Sequence, residues 1–118
     1  KTIKNIKTIN CDITNKEKLN KLKNFDEVYH LAFINGTENF YKYPEKVLEV
    51  GIKGILNIIE FIRKKKIKNF IMFSSSEVYG SPQNIPTDEK ETIKIEDIFN
   101  PRFSYSAGKI ISESVTVN

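Results

Sequence analysis

Asn69-Phe70-Ile71-Met72-Phe73 is a short apolar run that leads without a break into Ser74-Ser75-Ser76-Glu77-Val78-Tyr79-Gly80. A run of this length and composition predicts a buried strand. Glu27-Val28-Tyr29-His30-Leu31-Ala32-Phe33 is a second compact run, as expected of a strand covered on both faces in a parallel sheet. Between the two, Pro44 opens a long helical pattern, at a position where proline is tolerated. Leu48, Ile52, Ile55, Ile59 and Ile62 recur three and four apart and make one apolar stripe. The stripe ends at Arg63-Lys64-Lys65-Lys66, where cations complement the helix dipole. Gly51 and Gly54 lie beside it. A helical glycine costs about 1 kcal/mol against alanine, so close packing on a sheet is the expected reason for both.

Upstream, the alternation of Ile3 to Ile13 contains an expected strand ending near Asn10-Cys11-Asp12. Thr14 or Asn15 then caps a short helix through Leu19 and Leu22 to about Lys23. Asn35-Gly36-Thr37 reads as a loop. Downstream, Ser81 to Asn100 holds Pro82, Pro86 and many charges with little periodicity, and is expected to be mostly loop. A long loop after the carboxyl end of a strand commonly serves a site. Pro101 precedes a helix carrying Tyr105, whose apolar side continues through Ile110 and Ile111. Strand, helix, strand, helix, strand, loop, helix describes a parallel α/β sheet. In such sheets ligands bind at the carboxyl ends of strands, and Asp12, Ala32 and Ser74 to Glu77 fall at three expected ends.

Composition narrows the function. The chain has 118 residues, 39% hydrophobic, with a net charge of +4, which suits one domain and one core. Acidic residues are interspersed among the lysines and no recognition motif is present, so a nucleic-acid partner is not expected. Cys11 and His30 are each the single residue of their type. No intramolecular disulfide and no Cys/His metal cluster is therefore expected. Cys11 reads as a small buried hydrophobe and His30 as a packed strand histidine. With no apolar run long enough to span a bilayer and no signal-peptide pattern, no membrane role and a cytoplasmic location are the expectations.

The chemistry concentrates in Tyr105-Ser106-Ala107-Gly108-Lys109. Positions four apart share a helix face, which brings the Lys109 ammonium near the Tyr105 phenol. A free tyrosine titrates at about pH 10, and a neighbouring cation favours the ionised form that a base near neutrality needs. Each residue also has a plainer reading. Ser74 to Ser76 could be an ordinary serine loop, Tyr105 a core aromatic, Lys109 a solvated lysine and Glu77 a loop carboxylate or cap. Asp12 could cap the following helix, and Tyr79 is expected to be structural.

Taken in order, several motifs resemble the extended short-chain dehydrogenases/reductases, the group that includes NAD-dependent nucleotide-sugar epimerases, dehydratases and decarboxylases. They are Asp12-Ile13, His30-Leu31-Ala32-Phe33, the Pro44 helix with Gly54, Phe73 to Gly80, Asn100-Pro101-Arg102, and Tyr105 with Lys109. The resemblance spans nearly the whole chain. It implies part of a Rossmann-type doubly wound parallel sheet, with residues 1–118 as a partial NAD-binding domain carrying the catalytic residues. It also implies a nucleotide-sugar substrate and a homodimer formed through the Pro44 and Tyr105 helices. Asp12 and Ile13 would contact the adenine of NAD. Leu31, Ala32 and Phe33, followed by Phe73 and Ser74, would line the cofactor's path. Ser75 would hydrogen-bond the sugar oxygen being oxidised, Tyr105 would take its proton, and Lys109 would hold the nicotinamide ribose. Ser75-Ser76-Glu77 resembles the dehydratase and decarboxylase pattern, in which Ser76 and Glu77 join the catalytic set. A glutamate near C5 can remove a proton made acidic by a neighbouring ketone.

Two departures accompany the resemblance. The Gly-x-x-Gly-x-x-Gly turn whose backbone holds the cofactor pyrophosphate is not within these residues, and neither is the carboxy-terminal substrate lobe. A fragment of a two-domain enzyme is therefore the expectation. Gly51 stands where an asparagine is common, and Phe33 where a small residue is usual.

Overall fold

The computed structural model describes residues 5–118. The first regular element is α1, Lys16–Asn20. Its cap is Asn15, whose side-chain oxygen accepts from the Lys18 amide at 3.0 Å. Asp12 shapes the preceding turn instead, accepting from both the amide and the hydroxyl of Thr14 at 2.8 Å. Of the three candidate caps before this helix, Asn15 serves, and Asp12 and Thr14 do not. The strand expected before Asp12 does not form: residues 6–12 pair with no other segment, and Ile3 lies outside the described residues. A strand exists only through a hydrogen-bonded neighbour, and neither described strand supplies one to this segment.

β1, Glu27–His30, and β2, Asn69–Met72, form a parallel pair in the register Glu27 to Asn69 through His30 to Met72. Both stop short of their expected ends at Phe33 and Phe73. The expectation of burial on both faces is corrected too. His30 is buried, whereas its neighbour Tyr29 is 57% exposed and Ile71 opposite is 38% exposed. Among the described residues, one face of the ladder is left open.

The crossover between the strands begins with α2, Thr37–Lys42, whose first residue belongs to the expected loop Asn35-Gly36-Thr37. It continues as α3, Pro44–Leu48, a π-helical turn over Glu49–Lys53, and α4, Gly54–Lys65. The buried stripe is Val47, Gly51, Gly54, Ile55, Ile58 and Phe61. Of the expected stripe only Ile55 is fully buried, while Leu48, Ile52, Ile59 and Ile62 flank it half-buried. The inner face lies one position ahead of the expected stripe from Val47 onward, before the wide turn begins; Gly51 and Gly54 sit where Phe33 and Ile13 approach, so the glycines and not the isoleucines take the closely packed side.

After β2 the chain makes a short 3₁₀ turn, Ser76–Tyr79, and then the expected irregular segment. That segment is tied back on the turn. The Lys94 amide donates to the Val78 carbonyl at 3.0 Å, and the Ser81 amide to Glu96 Oε1 at 2.6 Å. A 3₁₀ turn at Pro101–Phe103 leads into α5, Ser104–Val117. The buried face of α5 is Tyr105, Ser106, Gly108, Lys109 and Ser112, not Ile110 and Ile111; Ile111 is 38% exposed. Small residues on that face allow close approach to α3 and the π turn. Of the three buried serines of α5, Ser106 donates to the Phe103 carbonyl and Ser112 to that of Gly108, while Ser104 Oγ has no hydrogen-bond partner among the described residues. Phe40, Val47 and Tyr105 form the core, with Phe33 and Ile34 packed against it. Among the described residues no helix is long and apolar enough to cross a membrane.

Candidate active site

Because β1 and β2 run parallel, Leu31 to Phe33 and Phe73 to Ser75 leave the sheet at the same edge. Helix α5 closes over that edge. Lys109, only 4% exposed, donates from Nζ to the Phe73 carbonyl at 2.5 Å. One turn further on, Glu113 accepts from the Ser74 hydroxyl. Two side-chain bonds therefore stitch the end of β2 to one face of α5.

Tyr105 and Lys109 share that face, as their spacing requires. The ammonium lies 5.8 Å from the Tyr105 ring centre and 4.8 Å from that of Phe33. Phe33 meets Tyr105 edge-on at 5.0 Å, and Phe40 stacks on the other side at 5.1 Å. Burial lowers the Lys109 pKa from its ordinary value, with Glu113 acting in the opposite sense. The same burial, with the Lys109 charge nearby, lowers that of His30. His30 is thus a packed strand histidine, as its place in the run suggests. Cys11 is half-buried, where full burial was expected.

The serines divide in their surroundings. Ser75 caps the 3₁₀ turn, its Oγ accepting from the Glu77 amide at 3.3 Å. Ser76, the first residue of the turn, is exposed. Glu77 is half-buried and its Oε2 accepts from Arg102 Nη1 at 2.8 Å. This bond raises the Arg102 pKa. Arg102 also lies over the Phe40 ring at 5.9 Å, within one shell of the aromatics around Tyr105. Nothing in the Asn100-Pro101-Arg102 motif announces this contact. Twenty-five positions separate it from Glu77, and no local periodicity links residues so far apart.

The remaining candidates fall in two places. Leu31 and Phe73 are 61% and 47% exposed at the strand ends, with Ala32 exposed beside Leu31. Asp12 and Ile13 sit at the foot of α4: the Ile13 carbonyl accepts from Asn57 at 2.9 Å and its side chain rests on Gly54. The Asp12 carboxylate is exposed, and its bonds from Thr14 lower its pKa. An apolar ledge at the strand ends, beside a buried ammonium with a single protein acceptor among the described residues, fits the ring and ribose of a dinucleotide.

The NAD dependent epimerase/dehydratase family matches residues 1–118. UDP-glucose 4-epimerase of Caenorhabditis elegans is 30% identical over 92% of this chain and 30% of that protein. UDP-glucuronic acid decarboxylase 1 of Xenopus tropicalis is 32% identical over 76% of this chain and 21% of that protein. The crystal structure of UDP-glucose 4-epimerase from Bifidobacterium longum, in complex with NAD+ and UDP, superposes with a TM-score of 0.79 at 22% identity. That match covers 91% of this chain and 31% of that one, and shows the shared fold. The chain thus spans about a third or less of the length of these relatives. With a parallel βαβ core, a tyrosine and lysine on one buried helix face and a match along all its residues, this chain belongs to the NAD dependent epimerase/dehydratase family.

Proposed function

We propose that the protein modifies a nucleotide sugar through a transient 4-ketone, with NAD as hydride acceptor and donor. One observation carries this: Lys109 is buried on the Tyr105 face of α5 and anchored to the end of β2 just before Ser75. In this reading the Tyr105 oxygen takes the proton of the sugar 4-hydroxyl. The Lys109 charge stabilises the negative charge that develops on that oxygen. Ser75 orients the same hydroxyl, and the ammonium's remaining donors hold the cofactor ribose. Leu31, Ala32 and Phe73 give the dinucleotide an apolar surface, Ser74 stands beside them, and Asp12 and Ile13 take its adenine end.

Beyond the ketone, Ser75-Ser76-Glu77 supports a 4,6-dehydratase or a decarboxylase, with Glu77 removing the proton at C5 in the dehydration and Ser76 beside the leaving group. A specific contact favours a second reading, 4-epimerisation. Glu77 already bonds Arg102 at 2.8 Å, and inversion at C4 asks nothing of it. The intact protein, supplied with NAD and a panel of nucleotide sugars, distinguishes these by product mass. Dehydration loses water, decarboxylation loses carbon dioxide, and epimerisation leaves the mass unchanged while inverting C4. Cofactor binding with no sugar converted would reject the proposal and favour a non-catalytic dinucleotide-binding protein. We further propose a cytoplasmic homodimer built on α4 and α5, supported by exposed Leu56 and Ile111 on these helices. Sedimentation of a monomer at micromolar concentration would reject the dimer.

A further inference from the structure

The two departures from the family pattern, Phe33 and Gly51, meet in space. A Cβ placed on Gly51 would lie 2.1 Å from the tip of the Phe33 ring, and one on Gly108 would lie 2.7 Å from it. Neither distance is compatible with a side chain. The ring tip therefore occupies a slot that exists only because both positions are glycine. Gly51 lies within the π-helical turn, and Gly108 is next to Lys109. Once seated, the ring lies under the Lys109 ammonium at 4.8 Å and makes a T-shaped contact with Tyr105 at 5.0 Å. Among the described residues, Lys109 Nζ has one hydrogen-bond acceptor, the Phe73 carbonyl. The ring face is its next favourable contact, through attraction between a cation and a π-cloud.

We propose that Phe33 is a positioning residue: held in the Gly51–Gly108 slot, its ring fixes the Lys109 ammonium between the Phe73 carbonyl and Tyr105 and keeps water from that side. The proposal rests on Lys109 being the cation beside the reacting phenol. Its test is read without substrate, so it can fail independently of that reading. The titratable groups facing Lys109 are Tyr105 and Glu113 on its own helix and His30 on β1. All three are unchanged in the variants below.

The Lys109 titration midpoint is followed by NMR of the intact protein labelled at lysine Cε, with melting temperatures in parallel. Phe33→Ala admits water, which solvates an ammonium better than a ring does, so the midpoint should rise. Phe33→Leu keeps water out but removes the π-cloud, so the midpoint should fall. Opposite shifts from two substitutions of one residue are not what lost packing alone would give. Gly51→Ala should expel the ring and lower the melting temperature. The Phe33→Ala/Gly51→Ala double variant should lose less stability than the sum of the two single changes, because the clash has gone. If Phe33→Ala does not fold, the fall in Phe33→Leu carries the test. Midpoints unchanged from the parent in every folded variant, with only the melting temperature lowered, would overturn the proposal and leave Phe33 as core filling.

Discussion

The Lys109 ammonium donates to the Phe73 carbonyl across the junction of α5 and β2. This one bond holds the charged end of the Tyr105 face at the edge where the sheet opens. Lys109→Met keeps the apolar stem and removes both the charge and the bond. It should lower kcat/KM for the sugar nucleotide by about 10²–10⁴-fold, measured by steady-state turnover of the intact protein. A loss of under threefold would mean that the ammonium serves only packing.

Glu77 and Arg102 offer a way to choose between reactions. The pair is about one-third exposed, so breaking it should cost about 1 kcal/mol or less in stability. Glu77→Gln is near in shape and lacks the charge. In a dehydratase with Glu77 as base it should reduce turnover by about 10²–10⁴-fold. In a 4-epimerase it should leave turnover within a few-fold of the parent. Thermal melts of the variant check that any loss is chemical and not structural.

His30 makes stability depend on pH on the acid side. Burial holds its folded pKa below the ordinary value near 6.5. The unfolded chain therefore binds a proton there more readily than the folded one, and protonation favours unfolding. The contribution is complete above about pH 6.5 and declines as the pH falls below it. His30→Asn should flatten the melting temperature between pH 7 and pH 5 relative to the parent. Parallel curves for the two proteins would show that the folded and unfolded chains protonate His30 equally, against a pKa lowered by burial.

Gly80 closes the turn after Tyr79 with φ of +59°. With ψ at −125°, this backbone conformation is one that a side chain disfavours by about 1–3 kcal/mol. A Cβ there would also meet Glu96 Cγ at 2.9 Å, although that flexible side chain can give way. Gly80→Ala should lower stability to denaturant by about that amount, and it should loosen the return of residues 94–96 onto the turn. Faster amide exchange at Ser81, whose N–H is held by Glu96, reports the loosening.

Much of this organisation can be read along the chain, and the misreadings have physical causes. β1, β2, Asn15 as cap, Pro44 as helix opener and the irregular 81–100 segment all follow from local rules of composition and spacing. The stripe on the long helix is misphased by one position because Gly51 and Gly54, read as lying beside it, take the closely packed side against Phe33 and Ile13. The strand before Asp12 fails because strands need partners, and alternation alone does not supply one. On α5 the expectation of Ile110 and Ile111 as the inner face fails because close packing selected small residues, Ser106, Gly108 and Ser112. Tyr105 and Lys109 are legible as a site because helix geometry pairs them. The Glu77–Arg102 and Phe33–Gly51 contacts are not, since each joins residues that only the tertiary fold brings together.

The central claim is that Tyr105 moves the proton of a sugar hydroxyl beside the nicotinamide. Its most direct measurement is turnover of the nucleotide sugar by Tyr105→Phe in the intact protein with NAD present. The ring stays between Phe33 and Phe40, so the fold should be kept, as circular dichroism can verify. Turnover should fall by about 10²–10⁴-fold while NAD still binds. A folded variant that turns over like the parent would contradict the account.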